Sequence, residues 1–410
     1  MPIETPYVVA LATDPEHGQG AAARNLLERF LGADVVVAQA QDRIRQALGL
    51  ARDANLRPLL GNDLVVARTR FGLVGAWVVK DEAALREILR SRVANTTGWA
   101  VHVDGPLLVA GEPGALRLAR ATQARHAGMT RRLFEERLRG LPADSLVRVE
   151  ANAALIPPAQ SSKFAWVRSL TRVAMTIRAD ARGLHARLRA ATRPNAVDDL
   201  PLAPGATPPT PLERTNGATA GIRDLRHVIR FALNALKTSD PGTYRRYDLA
   251  RRGLKLLRRG DIDRDVIDQL GGTATVWTPD LRTFTITAPV ADPGRMAKAL
   301  NGLRPLMGRL LSAAGLPGAR YGVTGSTFVV TTDPASSLAR LAAGSPGRIG
   351  ALTGALTGVV RGRTLGQALI DRLGLPPIAS IALGALGDTT FAVRTATAGV
   401  EASADLSIRQ

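Results

Sequence analysis

Cationic side chains are concentrated between residues 221 and 260, and the chemistry they offer is the binding of anions. Guanidinium and ammonium groups hold phosphate and carboxylate oxygens through charge-assisted hydrogen bonds. Apolar residues recur between them at helical spacing, which predicts two helices with cations on their outer faces. The candidate anion-docking residues are Arg223, Arg226, Arg230, Arg245, Arg246, Arg251, Arg252, Lys255, Arg258 and Arg259.

Two kinds of partner fit such a basic pair of helices, and a third interpretation needs no partner. Anionic lipid headgroups and nucleic acid phosphates both attract a cationic surface. Tyr244 and Tyr247 fall on the apolar side of the helices, so nucleobases would find no stacking platform, which disfavours nucleic acid. A solvated face on a basic protein gives the same pattern and is favoured over a nucleic-acid site.

His102 and Asp104 are the best-placed candidates for acid–base chemistry. They are two residues apart on a predicted strand, so their side chains share a face. A repeat of this region, described below, holds Gly322 and Thr324 near these positions, which favours a solvated strand face. The five histidines follow no ligand spacing, and the absence of cysteine removes thiolate ligands and nucleophiles. We therefore expect no enzymatic activity, no metal and no cofactor.

Two glycine patterns could also bear function. Gly111 and Gly114 lie between a predicted strand and a helix, where backbone N–H groups could hold a phosphate. The segment lacks the glycine fingerprint and the lysine of nucleotide-binding loops, so a capped turn is favoured. Gly350, Gly354 and Gly358 recur every four residues, which predicts a helix with a small-residue stripe. Packing of that helix on its own sheet is favoured, and self-association through the stripe is the alternative.

The predicted strands and helices that would position these residues occur in two similar series along the sequence. Asp81 and Asp292 each occupy a helix cap after a predicted hairpin, and the two hairpins begin the same number of residues before them. Further matches follow in the same order, including a predicted strand after Leu141 and another after Leu375. The pattern predicts an α+β fold of two duplicated lobes, each a largely antiparallel sheet packed with helices.

A proline-rich segment separates the two copies. Residues 193–214 hold six prolines and no periodic pattern, which predicts a semi-rigid, extended linker. We expect a first α+β repeat at 1–192, the linker at 193–220, a basic helical insert without a counterpart at 221–260, and a second repeat at 261–410.

Composition favours anionic partners. The chain has 410 residues, of which 54 are basic and 35 acidic, and its formal net charge is +19. Its longest uncharged stretches are shorter than the roughly 18–20 apolar residues of a membrane-spanning helix. The N-terminal sequence shows no basic region followed by an apolar one, so no signal peptide is expected.

The order of these pieces resembles one known family. The segments LGNDLVVARTR, VVKDEAALREIL and SLTRVAMTIRADARGLHARLRA, followed by VADPGRMAKALNGL and YGVTGSTFVVTTDPASSLARLA, are similar to the actinobacterial proteins grouped as domain of unknown function family 3352. The resemblance implies an extracytoplasmic protein held by one N-terminal membrane helix, with no established activity and no functional residues to transfer. This chain starts directly at its first predicted strand and departs from the family there.

These patterns predict a non-enzymatic binding or structural protein with a hydrophobic or anionic ligand between its lobes. Association with the cell envelope and its membrane is what the family resemblance implies. An electrostatic docking module for anionic membrane or nucleic acid is one alternative. A hydrolase that uses His102 and Asp104 is the other.

Overall fold

Sixteen strands form one antiparallel sheet, and twelve helices accompany it in the described part of the chain. The computed structural model describes residues 1–2, 5–30, 33–90, 98–156, 164–256, 261–313, 316, 318–373 and 383–409. The strands are β1 (Tyr7–Ala12), β2 (Asp63–Thr69), β3 (Gly72–Val78), β4 (Ala100–Asp104), β5 (Leu107–Gly111), β6 (Val147–Asn152), β7 (Leu170–Asp180), β8 (Gly183–Thr192), β9 (Ala218–Arg223), β10 (Thr273–Thr278), β11 (Thr285–Pro289), β12 (Arg320–Thr324), β13 (Thr327–Thr331), β14 (Leu356–Val360), β15 (Leu386–Ala396) and β16 (Gly399–Ile408). The helices are α1 (Gly18–Leu27), α2 (Ala33–Leu48), α3 (Glu82–Arg90), α4 (Pro113–Ala124), α5 (Arg131–Arg137), α6 (Ala165–Ser169), α7 (Leu225–Ser239), α8 (Pro241–Leu256), α9 (Ile262–Asp265), α10 (Pro293–Ala313), α11 (Leu338–Ala342) and α12 (Gly362–Leu373). The predicted α+β class is confirmed.

The strand order is the same in the two halves of the sheet. From edge to centre, one half runs β4-β5-β3-β2-β1-β6-β7-β8 and the other runs β12-β13-β11-β10-β9-β14-β15-β16. The halves join where β8 pairs with β16 in antiparallel register, from Gly183 opposite Ser407 to Ala191 opposite Gly399. Backbone hydrogen bonds therefore continue across the junction. The prediction of two lobes, each with its own sheet, differs from the structure, because the sheet is one.

The basic segment at 221–260 differs from the predicted insert in one respect. Residues 221–223 belong to β9, and α7 and α8 follow it before β10, as α1 and α2 follow β1 before β2. The first pair of helices is rich in alanine and valine, whereas the second pair carries leucine and tyrosine. Residue identity therefore does not indicate that the two pairs occupy equivalent positions in the two halves.

Helices cover both faces of the first half. On one face α4 and α5 pack over Val8, Ala67 and Val109. On the other face Leu85 of α3 packs with Trp77 and other buried apolar residues. In the second half α7, α8 and α10 share a core with the strand face that carries Ile222. No helix among those described is long and apolar enough to cross a membrane.

The helix caps predicted from aspartates are present. The Asp81 carboxylate accepts a hydrogen bond from the backbone N–H of Ala84 at 2.9 Å, and Asp292 accepts one from Arg295 at 2.9 Å. Each carboxylate satisfies an N–H that has no partner within the first helical turn, which fixes where the helix begins.

The predicted helix with a glycine stripe is wrong. Residues 356–360 form β14, which lies between β9 and β15. A Cβ at Gly358 would overlap the ring of Phe391 on β15, so glycine is needed for strand packing rather than for a helix face. β14 also holds the place in the second half that β6 holds in the first. The predicted counterpart of β6 after Leu375 was therefore misplaced, and residues 374–382 lie outside the described part.

The proline-rich linker packs against the sheet. Thr395 donates a hydrogen bond from Oγ1 to the carbonyl of Leu202 at 2.9 Å, and the backbone N–H of Leu212 donates to Thr275 Oγ1 at 2.7 Å. The linker prolines at 209 and 211 lie directly over Gly221 of β9, where a Cβ would come within 2.8 Å of the second ring. The linker is therefore held to the fold along much of its length.

Candidate functional site

A groove crosses the centre of the sheet, where the two halves meet. Its floor comes from β7, β8, β16 and β15, on the face that α4 and α5 cover in the first half. Register places Ala174, Arg189, Glu401 and Arg394 side by side on this face. Residues directly opposite each other on neighbouring strands have their side chains on the same face, so this row crosses both halves.

The walls of the groove come from different halves of the chain. One wall is the end of α5 and the turn that follows it, through Pro142. The opposite wall is the linker at Pro204–Ala206 and the loop at 351–353. Two adjoining hollows of about 750 Å³ and 460 Å³ share Arg189, Arg394 and Glu401, so they form one continuous groove. This size is in the range of small-molecule sites.

The groove is lined by positive charge. Its only acidic lining residues among those described are Glu136 and Glu401. The six arginines that line it are Arg137, Arg139, Arg172, Arg187, Arg189 and Arg394. Arginine is the side chain best suited to bidentate binding of carboxylate and phosphate, because its five donors lie in one rigid plane.

A buried glutamate holds two of these arginines in place. Glu150 on β6 is fully buried, and its Oε1 accepts a hydrogen bond from Arg137 Nη1 at 3.3 Å. Arg172 Nε lies 3.2 Å from the same oxygen. Arg137 is itself only 10% exposed, and its Nε has no hydrogen-bond acceptor among the described residues. The group of Glu150, Arg137 and Arg172 keeps one excess positive charge beside the groove.

Arg189 and Arg394 have weaker partners. Arg189 Nε lies 3.8 Å from Glu401 Oε1, and both side chains are more than half exposed. Arg394 donates from Nε to the carbonyl of Thr353 at 3.1 Å, which draws the 351–353 loop toward the groove. Exposed pairs at such distances contribute little to stability. Both guanidinium groups therefore keep donors for a ligand.

A histidine network lies beyond the groove on the same strands. Asp405 Oδ1 accepts a hydrogen bond from Arg187 Nη1 at 2.8 Å and lies 2.7 Å from His185 Nδ1. His185 Nε2 is 3.0 Å from Asp180 Oδ2. Burial alone would raise the pKa of Asp405, but the hydrogen bonds from Arg187 and His185 outweigh it and hold that pKa below its usual value. The network ties β8 to β16.

The predicted anion-docking residues that the structure describes fall into three groups: one that holds the linker, two that are exposed on α8, and five that form ion pairs. Arg223 donates to the carbonyls of Ala203 and Pro204 and holds the linker. Arg258 and Arg259 lie outside the described residues, and Arg245 and Arg246 are exposed on α8. The remaining five form ion pairs: Arg226 with Asp224, Arg230 with Asp268, Arg251 with Asp248 and Asp263, Arg252 with Asp248, and Lys255 with Asp261.

The remaining candidates have structural surroundings. His102 and Asp104 lie on the edge strand β4, where the Asp104 carboxylate accepts from Gln123 Nε2 at 3.2 Å. Gly111 packs its Cα against the backbone of Leu73 and Val74, so it serves close strand packing. In the part of the chain that the structure describes, no group of three or more histidine, aspartate or glutamate side chains could hold a metal ion.

The groove could not be predicted from the sequence, because its arginines come from separate elements. They span residues 137–394 and converge only through long-range strand pairing. One local signal exists, since Arg187 and Arg189 stand at alternate positions of a strand and must share a face.

Comparisons with known proteins found no relative of this chain. No family model matches the chain, and no match was found among curated proteins or among solved structures. The resemblance to domain of unknown function family 3352 stays a prediction.

Proposed function

We propose that this protein binds an anionic ligand in the groove at the centre of its sheet and performs no catalysis there. The observation that carries the proposal is the excess of arginines over glutamates in one continuous groove. Guanidinium groups select carboxylates or phosphates. The buried Glu150 holds Arg137 and Arg172 at the groove, and this supports a binding role because buried ion pairs gain little stability over apolar packing.

We also infer that the two halves are copies of one ancestral unit. The identical strand order of the halves supports this inference. The groove needs β7 and β8 from one copy and β15 and β16 from the other, so neither copy alone would form it. Duplication would then have created the ligand site at the junction. Association with the cell envelope is proposed on the family resemblance alone.

Titration of the purified full chain with phosphate, pyrophosphate and citrate tests the anion site, with sodium chloride at equal ionic strength as the reference. Isothermal calorimetry gives the affinity, and thermal unfolding gives the stabilisation that a ligand of the folded state must produce. We expect at least one polyanion to bind well above the chloride reference.

Two substitutions at neighbouring residues should move affinity in opposite directions. Arg189→Gln removes a charge-assisted donor and should weaken binding about tenfold. Glu401→Gln removes a carboxylate that competes for Arg189 and should strengthen binding about two- to fivefold. Arg90→Gln is the matched control, because Arg90 is 75% exposed on α3.

Three results would contradict the proposal that an anion binds in the groove. Failure of every polyanion to exceed the chloride reference is the first. An equal loss of affinity in Arg90→Gln is the second, because it would show a response to net charge alone. Weaker binding by Glu401→Gln is the third, because that carboxylate would then hold the ligand rather than compete with it.

A further inference from the structure

Two leucines on the outer face of α8 are largely exposed to solvent. Leu249 is 70% exposed and Leu256 is 84% exposed, the highest values among the large hydrophobic side chains that the structure describes. They are seven residues apart, which is two helical turns, so they lie one above the other on a single line of the helix.

Leu249 and Leu256 do not belong to the hydrophobic core that α8 packs against. The opposite side of α8 supplies the packing, with Tyr247 only 6% exposed in the core shared with Ile262 and Met296. Tyr244 packs at the edge of the same core. A single exposed leucine is ordinary, but two on one convex line of a charged helix form a defined apolar strip.

Cations surround the strip. Arg245 lies one turn before Leu249, and Arg252 lies between the two leucines on the same line. The side chains of Arg252 and Lys255 are 70% and 73% exposed. The one acidic residue of the helix, Asp248, is 18% exposed because it is covered by its ion pairs with two arginines. The outward face of α8 therefore carries two exposed leucines with cationic side chains between and beside them.

We propose that α8 docks flat on the surface of an anionic lipid bilayer. Leu249 and Leu256 enter the boundary between headgroups and acyl chains, while Arg245, Arg246 and Lys255 contact lipid phosphates. The outer face of α8 has no aromatic side chain on which a nucleobase could stack. The margin charges select an anionic surface over a neutral one.

Docking through α8 would leave the groove accessible. In β9, Ile222 faces the helical core, whereas Gly221 faces the linker. Strand pairing through β14 places Val393 of β15 on the same face as Ile222, and Ala392 on the same face as Gly221. Arg394 is two residues from Ala392, so it is on the face away from the helices. The bilayer and the groove ligand would therefore meet opposite faces of the sheet. The inference does not depend on the anion site.

Cosedimentation of the full chain with vesicles tests the proposal. One set of vesicles is phosphatidylcholine alone, and the other contains equal parts of phosphatidylcholine and phosphatidylglycerol. We expect binding to the anionic vesicles only, with affinity that falls as salt rises. The double substitution Leu249→Ser with Leu256→Ser should weaken binding about tenfold or more. Arg245→Gln with Arg246→Gln should weaken it about tenfold.

Matched controls separate the strip from general surface effects. Ile156→Ser removes another exposed apolar side chain, 45% exposed, outside α8. Arg90→Gln with Arg131→Gln removes two exposed charges elsewhere. Both controls should bind as wild type does, and circular dichroism should show all variants folded because every changed side chain is exposed.

Four outcomes would overturn the proposal. The first is binding to neutral vesicles at equal strength, and the second is full binding by the leucine variant. The third is binding to DNA without any binding to vesicles. The fourth is a dimer that the leucine variant abolishes while neither protein sediments with lipid, which would assign the strip to a second copy of the chain.

Discussion

Replacing Glu150 by glutamine should destabilise the protein strongly, because it removes the carboxylate that pairs with a buried arginine. Arg137 Nη1 lies 3.3 Å from the Glu150 carboxylate, and only 10% of the Arg137 side chain is exposed. With an effective dielectric constant of about 20, charges at this 3.3 Å separation attract by roughly 5 kcal/mol, and desolvation of both ions offsets part of this. Removing one partner from a buried pair typically costs about 3–5 kcal/mol.

Arg172 adds little to that figure. Its side chain is 42% exposed, so water can hydrate the guanidinium once Glu150 is neutral. We therefore expect Glu150→Gln to lower the free energy of unfolding by about 3 kcal/mol. Urea unfolding followed by tryptophan fluorescence and by circular dichroism measures this change.

A double substitution separates charge from shape. Arg137→Met with Glu150→Leu leaves no buried charge, so it should be at least about 2 kcal/mol more stable than Glu150→Gln alone. Glu28→Gln is the control, since Glu28 pairs with Arg24 in solvent, and it should change stability by less than about 0.5 kcal/mol. Equal instability of the double and single variants would refute the charge argument, as would a Glu150→Gln variant as stable as wild type.

Two further changes test the junction and the linker. Because hydrogen bonds from Arg187 and His185 outweigh burial and lower the pKa of Asp405, its carboxylate stabilises the fold above the pKa of the unfolded chain and loses that effect as pH falls through the lower folded value. Asp405→Asn should therefore lower the melting temperature at neutral pH and match wild type in strong acid; an equal deficit at both pH values would contradict this. Gly221→Val should cost about 1–3 kcal/mol in urea because it displaces the linker prolines, whereas Gly271→Val, which meets open space, is the control. A Gly221→Val variant that unfolds like wild type would show that the linker is not packed there.

Local signals in the sequence were sufficient for part of the fold. The caps at Asp81 and Asp292 depend on a carboxylate and the three residues after it, so they could be predicted without knowing what the helix packs against. The hairpins that precede them follow from alternation and a turn for the same reason.

Features that depend on distant partners could not be predicted. β14 carries glycine at Gly358 because Phe391 lies across it, and nothing within the segment itself distinguishes that need from a helical stripe. The prolines of the linker predict an extended chain, but the threonines that hold it are on β10 and β15. The groove arginines depend on strand order, which spacing along the chain does not give.

The charges on the two central strands explain why unlike strands meet at the junction. On the groove face β8 presents His185, Arg187 and Arg189, and β16 presents Glu401 and Asp405. Pairing of β8 with β16 sets Arg189 opposite Glu401 and His185 opposite Asp405. Pairing of β8 with another β8 in the same geometry would set Arg187 against its own copy, and two β16 strands would set Glu401 against Asp405. Like charges directly opposite each other destabilise a sheet, so the pattern favours union of the two halves within one chain over pairing between chains. The same arrangement leaves the cationic strand at the centre of the groove, where the proposed anion binds.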